Sequence, residues 1–142
     1  MQKIFKELHN ERGTALAGLA LMLPLYLALV MGVLDLGRGY MTYVTMANAA
    51  REGARWISAY PTDVTGGIQR VEQEINAIGV SPGAYRIILT PNKSQYQQDE
   101  LVEVKVEYDY DLLFGFIPSV DMVQFQVSAF MRVLYEPTTT LL

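Results

Sequence analysis

The sequence predicts an α+β protein in which a long N-terminal transmembrane helix continues beyond the membrane and packs on a small antiparallel sheet of about three strands, with one short extra helix. Three observations predict this fold. Residues 13–34 form an apolar run of 22 residues without a charge. A helical pattern without proline follows this run. Two stretches of alternating apolar and polar residues come later in the chain.

The uncharged run is long enough to cross a membrane. As a helix it reaches roughly 33 Å, whereas the hydrocarbon core is about 30 Å thick. A cleaved secretory signal has an apolar core of about 7 to 15 residues, so this run is too long for one, although residues 47–49 resemble its cleavage site. A buried soluble helix is disfavoured because the run is apolar on every face. Pro24 is expected to kink the helix without breaking it.

The span divides the chain into four segments. We expect a short cytoplasmic leader at residues 1–12, a transmembrane helix at 13–36, an extramembrane helix extension at 37–60, and a small α+β extracytoplasmic domain at 61–142. Basic residues occur on both sides of the span, but those before it lie in a short tail, which favours a cytoplasmic N-terminus. The predicted location is the bacterial cytoplasmic membrane, crossed once.

The helical pattern continues past the span to about Ala59. Gly37 and Gly39 weaken it at the membrane exit and could form a hinge. Asp35 and Arg38 can pair at a spacing of three residues. Two interpretations of Asp35 are open: a charge at the helix end among the lipid headgroups, or an intramembrane contact with a partner.

Two arginines lie further along the extension. A straight helix places Arg51 roughly 24 Å beyond residue 35, whereas each headgroup layer is only about 5 to 8 Å thick. Arg51 and Arg55 are therefore expected to meet the protein's own acidic sheet or a neighbouring subunit, the alternative being a solvated helix face. Nearby small residues, Ala50, Gly53 and Ala54, would let another backbone approach closely.

We call the predicted long helix, the span together with its extension, the stem. The elements after the stem follow from local patterns. Pro61 ends the helix and residues 62–67 are expected to form a loop. A short amphipathic helix is predicted at residues 68–78, with Gly79 as its cap. The first strand is predicted at Tyr85–Thr90.

The remaining strands follow from a period of two. Apolar residues from Val102 to Tyr110 alternate with charged ones, and residues 123–133 repeat the alternation. Residues 113–121 are expected to connect these two strands as a hairpin. The apolar face of the resulting sheet needs a cover, and the emerging helix is available to provide it.

No pattern in the sequence predicts catalysis. The chain has no cysteine, and its single histidine, His9, lies in the N-terminal tail, so neither a metal site nor a His-based triad is expected in the sheet domain. No phosphate-binding or dinucleotide-binding glycine motif occurs, so no cofactor and no small-molecule substrate are expected. The acidic residues of the alternating strand are expected to lie on its solvated face, with a calcium site as the disfavoured alternative.

The charge balance also restricts the partners. From Trp56 onward the chain has five Lys and Arg against eleven Asp and Glu. This acidic balance makes nucleic acid an unsuitable partner. Membrane lipid and other transmembrane helices are the expected partners.

Five short motifs together point to a known family. They are residues 11–13 (ERG), 23–24 (LP), 35–38 (DLGR), 48–55 (NAAREGAR) and 130–133 (FMRV). Together they resemble the TadE family, the pseudopilins of the tight-adherence pilus and related secretion systems, and AAREGAR is the most specific of them. The resemblance implies a cytoplasmic N-terminus, an outer globular part, and cleavage by a prepilin peptidase between Gly13 and Thr14. It also implies that the mature helix packs with other pilin helices.

One position departs from the family pattern. Five residues after the expected cut the family usually has a glutamate, which is thought to pair with the N-terminal amine of a neighbouring subunit, but this chain has Gly18. Two hypotheses follow: a minor pseudopilin that primes or caps a Tad-type pilus, or an unprocessed accessory subunit that stabilises a larger membrane complex. Small residues on the span, Ala17, Gly18 and Gly32, would support helix packing under either hypothesis.

Overall fold

The protein folds as predicted, with one long helix, one short helix and a three-stranded antiparallel sheet. The structure is a computed structural model that describes the backbone of residues 2–113 and 122–134 and the side chains of residues 13–113 and 122–134. In chain order the elements are α1 (Gln2–Ala59), α2 (Val64–Asn76), β1 (Tyr85–Thr90), β2 (Leu101–Asp111) and β3 (Met122–Arg132).

Helix α1 is a single element of 58 residues that includes Pro24. It continues without a break through Gly37 and Gly39, so the hinge predicted there is not present. At Gly39 a Cβ atom would lie 3.5 Å from Phe125 and 3.6 Å from Tyr110, which are ordinary contact distances, so two aromatic rings of the sheet pack close to the helix here. The helix ends before Pro61, which cannot continue it.

Helix α2 begins four residues earlier than the sequence pattern predicts. The carboxylate of Asp63 accepts a hydrogen bond of 3.0 Å from the backbone N–H of Gly66, and this N-cap starts the helix at Val64. The loop expected at residues 62–67 is therefore mostly helix. The predicted C-terminal cap is also displaced, because Ala77 occupies the C-cap position and Gly79 follows it with a φ of 79°.

The three strands are consecutive neighbours in the order β1-β2-β3, and both pairings are antiparallel. Tyr85 lies opposite Tyr108, and Leu101 lies opposite Arg132. The alternation predicted for β2 is confirmed, since Val102, Val104, Val106 and Tyr110 are buried while the charged residues between them are not. Of the predicted hairpin connection, only Leu113 lies within the described residues.

The apolar face of the sheet is covered by the outer half of α1 together with α2. The core includes Met46 and Ile57 of α1, Val71 and Ile75 of α2, and Val104 of β2. At one end of the sheet Tyr110 contacts Asp35, and at the other the hydroxyl of Ser58 donates a 2.6 Å hydrogen bond to the carbonyl of Arg132. The strands therefore lie along α1 from about residue 35 to residue 58, β2 antiparallel to the helix and β3 parallel to it.

Candidate functional site: the membrane span and its junction with the sheet

The span, residues 13–34 of α1, is not covered by the rest of the described chain. The only helix among the described residues that is long and apolar enough to cross a membrane is the part of α1 from Gly13 to Ala59, and none of its most apolar window is buried. Large side chains such as Leu21 and Leu25 are exposed. Because an apolar surface of this extent is unstable in water, the span is compatible with a single-pass membrane anchor.

The small residues predicted to aid packing within the span are open to contact. Gly13, Thr14, Ala17 and Gly18 are exposed, and Gly32 is partly exposed. A Cβ atom at Gly13, Gly18 or Gly32 would meet nothing within 4 Å. These positions therefore leave room for another helix to approach closely.

Asp35, directly after the span, joins the stem to the sheet. Its carboxylate accepts a hydrogen bond of 3.1 Å from the backbone N–H of Leu113, and its backbone carbonyl accepts one of 3.3 Å from the hydroxyl of Tyr110. The residue is only 6% exposed. Both hydrogen bonds are with residues at or just beyond the end of β2 in the same chain.

Arg38 completes this junction. One guanidinium nitrogen lies 3.7 Å from the carboxylate of Asp35, so the ion pair predicted from the spacing is present. The guanidinium carbon also lies 5.9 Å from the centre of the Tyr110 ring. We call Asp35, Arg38, Tyr110 and Leu113 the junction. It holds the sheet at the level where the uncharged run ends.

Beside the junction is an apolar cavity of about 620 Å³, bounded by the stem on one side and by the ends of β2 and β3 on the other. We call it the junction groove. Aromatic rings line its upper part, the part farther from the span. Phe125 lies 6.1 Å from Tyr43 and 5.4 Å from Tyr110 between ring centres. Its lower part reaches Gly32 and Leu36.

The small residues of the AAREGAR segment pack within the chain itself. Ala50 and Ala54 are fully buried, and a Cβ atom at Gly53 would lie 2.3 Å from a methyl carbon of Val71 and 3.3 Å from the carbonyl oxygen of Gly67. The backbone that approaches α1 at Gly53 is therefore that of α2. Ala50 and Ala54 are buried in the core of the same chain.

The two arginines of this segment do not reach the acidic sheet, because they lie on the side of α1 that faces away from it. Arg55 makes two hydrogen bonds to the carboxylate of Glu52, at 3.0 and 2.9 Å. These bonds hold the pKa of Glu52 below its usual value and raise that of Arg55. Arg51 is exposed, and within the described ranges 13–113 and 122–134 it has no ion pair.

A second set of residues locks α1 to α2, and the sequence patterns did not single it out. Arg70 lies 3.6 Å from Glu52 and stands 4.0 Å over the ring of Trp56. The indole N–H of Trp56 donates a 3.1 Å hydrogen bond to Asp63, the N-cap of α2. The only local signal was the spacing of Glu52 and Arg55, which favours an ion pair on a helix.

The charged side chains of β2 are largely paired with neighbours on the outer face of the sheet. Glu107 lies 3.5 Å from both Arg86 and Lys105, and Asp109 accepts a 3.2 Å hydrogen bond from Gln124. In the part of the chain that the structure describes, no three His, Cys, Asp or Glu side chains are grouped so as to hold a metal ion.

Comparison with protein families confirms the resemblance seen in the sequence. A family model described as TadE-like protein matches residues 13–55. The match covers the span, Asp35 and Arg38 of the junction, and the AAREGAR segment, whereas the sheet lies outside it. Comparisons with curated proteins and with solved structures give no match.

Proposed function

We propose that this chain, whose residues 13–55 match the TadE-like family, is a minor pseudopilin of a Tad-type pilus or related secretion system. Its role is structural: the span anchors it in the membrane and contacts other transmembrane helices, and the sheet domain is presented outside the cytoplasm. The observation that carries the proposal is the exposed span joined directly to a sheet that packs on the same helix.

The contacts of α1 support different roles for its two parts, packing within the chain for one and contact with partners for the other. From Met46 to Ile57 its inward face is occupied by α2 and the sheet, so that surface is not free for partners. Residues 13–34 have no such cover within the described chain. Partner helices would therefore pack on the span, where Ala17, Gly18 and Gly32 permit close approach.

Processing at Gly13 is part of this proposal. Removal of residues 1–13 would leave Thr14 as the N-terminus of a helix that is apolar from its first turn. N-terminal analysis and intact-mass measurement of the protein from native membranes test this step. We expect the N-terminus at Thr14, and a Gly13→Val variant should remain at its full mass, whereas the matched span variant Gly18→Val should be processed normally.

An unprocessed accessory subunit is the second candidate, and Gly18 is the observation that favours it. Without a carboxylate at this position the span lacks the group that resemblance to pilins would place opposite a neighbour's N-terminal amine. An intact Met1 in a stable membrane complex would support this candidate and contradict the processed pseudopilin. An N-terminus at Thr14 would contradict the accessory subunit.

A further inference from the structure

We propose that the junction groove binds an acyl chain of a membrane lipid from the leaflet next to the sheet. The proposal rests on the proposed membrane anchoring and adds a specific partner for one surface. A lipid held there would contact the stem and the sheet at once.

The position of the groove is fixed by the junction. The hydrogen bonds from Leu113 and Tyr110 place the end of the sheet at Asp35, the first charged residue after the span. The groove extends along the stem from Gly32, inside the uncharged run, to Tyr43, roughly 16 Å further along the helix. Its lower end therefore opens where the lipid chains are.

The walls of the groove suit a hydrocarbon chain. Among the described residues that line it, Asp35 is the only charged one, and its carboxylate is already engaged by the N–H of Leu113. The rest of the lining consists of glycine, leucine, valine and aromatic side chains. Such walls offer water few hydrogen-bond partners, and covering them with an apolar group removes apolar surface from water, so an apolar occupant is favoured.

The surface around the opening is apolar and exposed as well. Leu36 is 76% exposed, Tyr40 is 70% exposed and Met122 is 63% exposed. This surface is continuous with the exposed side chains of the span, which are the part of the chain proposed to contact lipid. Tyrosines near the boundary are typical of membrane interfaces, where the ring contacts apolar groups and the hydroxyl contacts water.

The aromatic end of the groove favours a lipid chain over a second stem. The rings of Tyr43 and Phe125 meet edge to face there, and Gly39 lies against Phe125 and Tyr110. A helix with its side chains is about 10 to 12 Å in diameter and could not continue past these rings. A flexible chain can end beneath them.

A tryptophan probe with brominated lipids tests the proposal. The single native tryptophan is replaced in every variant by Trp56→Phe, and the full chain is placed in phosphatidylcholine nanodiscs with bromine on the acyl chains. Tyr43→Trp reports on the groove. Residue 43 lies roughly 13 Å beyond residue 34, past a headgroup layer of about 5 to 8 Å, so lipids outside the groove should not quench it.

Two control positions make the result specific. Leu25→Trp, in the middle of the span, should be strongly quenched if the chain is anchored in the membrane. Met41→Trp lies on another side of the stem and nearer to the membrane, so it reports on lipid outside the groove. We expect quenching of Tyr43→Trp to be at least twice that of Met41→Trp.

A larger side chain that fills the groove should displace the lipid. Gly32→Phe adds a ring where a Cβ atom meets nothing within 4 Å, so we expect it to remove most of the quenching at Tyr43→Trp. Gly18→Phe, at an equally open position lower in the span, should leave that quenching unchanged.

The outcomes separate the two proposals. If Leu25→Trp is quenched but Tyr43→Trp is quenched no more than Met41→Trp, the lipid site is wrong and the membrane anchor stands. If Leu25→Trp is not quenched, the anchor fails, and the lipid site with it. If Tyr43→Trp is quenched no more than Met41→Trp and two copies cross-link through a cysteine placed at residue 43, a second copy occupies the groove and lipid binding is contradicted.

Discussion

Asp35 is the residue on which the arrangement of stem and sheet most depends. It is the first charge after an apolar run of 22 residues, and it is buried rather than solvated because the N–H of Leu113 and the guanidinium of Arg38 both approach its carboxylate. A buried carboxylate is tolerated when its oxygens have such partners. One side chain thus fixes the end of the sheet to the end of the span.

Replacing this carboxylate should loosen the junction. Asp35→Ala leaves the backbone N–H of Leu113 without its acceptor, a loss of about 1–3 kcal/mol, so we expect hydrogen exchange of the Leu113 amide to become about tenfold faster or more. Asp35→Asn keeps an oxygen in the same place and should have a smaller effect. Equal exchange rates in the parent protein and in Asp35→Ala would contradict the assigned hydrogen bond.

The packing of α1 on α2 likewise depends on a single residue, Gly53, in the part of α1 beyond the span. A methyl group there would overlap Val71, so Gly53→Ala should destabilise the packing of α1 on α2 by about 1–3 kcal/mol. The measurement is the denaturant midpoint followed by fluorescence of Trp56, which lies at this interface.

Gly37→Ala is the matched control for Gly53→Ala, because a Cβ atom at Gly37 meets nothing within 4 Å in the same helix. It should be neutral or stabilising by up to about 1 kcal/mol, since alanine is favoured over glycine inside helices. If both variants lower the midpoint equally, the close approach at Gly53 is not the cause.

At the level of the element, α1 combines two surfaces that have different requirements. Its first part is exposed and apolar all round, whereas its outer part is buried on one face and carries Arg51 and Arg55 on the other. Continuity of the helix through Gly37 and Gly39 means that the sheet follows the orientation of the span. Within the described residues Arg55 is paired with Glu52 and Arg51 has no ion pair, so we expect different effects from changing them.

The pair of Glu52 and Arg55 predicts an acid dependence of stability. Because the pKa of Glu52 in the folded chain lies below its ordinary value of 4.5, the stabilisation from this pair is present above about pH 4.5 and is lost as the pH falls through the lowered pKa. Arg55→Gln should raise the pKa of Glu52 towards 4.5, as measured by NMR titration of the side-chain carboxyl carbon. Arg51→Gln is the control and should leave that titration unchanged.

Arg51 is the better candidate for a contact with a partner, because Arg55 already has a carboxylate on its own helix. We expect Arg51→Glu to reduce co-purification with partner subunits by about two- to fivefold, the size of effect that exposed ion pairs produce, without changing membrane insertion. Gln69→Glu adds a negative charge elsewhere on the exposed surface and should have no such effect. Undiminished recovery of partners with Arg51→Glu would mean that this arginine is merely solvated.

At the level of the whole molecule, the fold predicts a fixed topology in the membrane. Since the chain has no cysteine, single cysteines report on it without background. Ser128→Cys, exposed on the outer face of the sheet, should react with a membrane-impermeant thiol reagent in intact cells. Lys3→Cys, placed in the unprocessed Gly13→Val variant so that residue 3 is retained, should react only after permeabilisation. The reverse pattern would contradict a cytoplasmic N-terminus.

Much of this organisation could be predicted from local sequence patterns. The span follows from a long uncharged run. The inward and outward faces of β2 follow from a period of two, which backbone geometry imposes on a strand. The start of α2 was missed because the pattern of apolar residues begins at Ile68, whereas the helix begins at the Asp63 cap. A capping carboxylate before two glycines was a local signal that hydrophobic periodicity does not detect.

The sequence by itself determined that the chain has a helix long and apolar enough to span a membrane, a covering helix and an antiparallel sheet, because charge, hydropathy and alternation act locally. Only the tertiary structure decided what the special residues contact. A small residue such as Gly53 permits close approach by any backbone, and it is α2 of the same chain that approaches it. The role of Asp35 likewise depends on Leu113, 78 positions away in the chain, because the partner of a buried polar group is set by the fold.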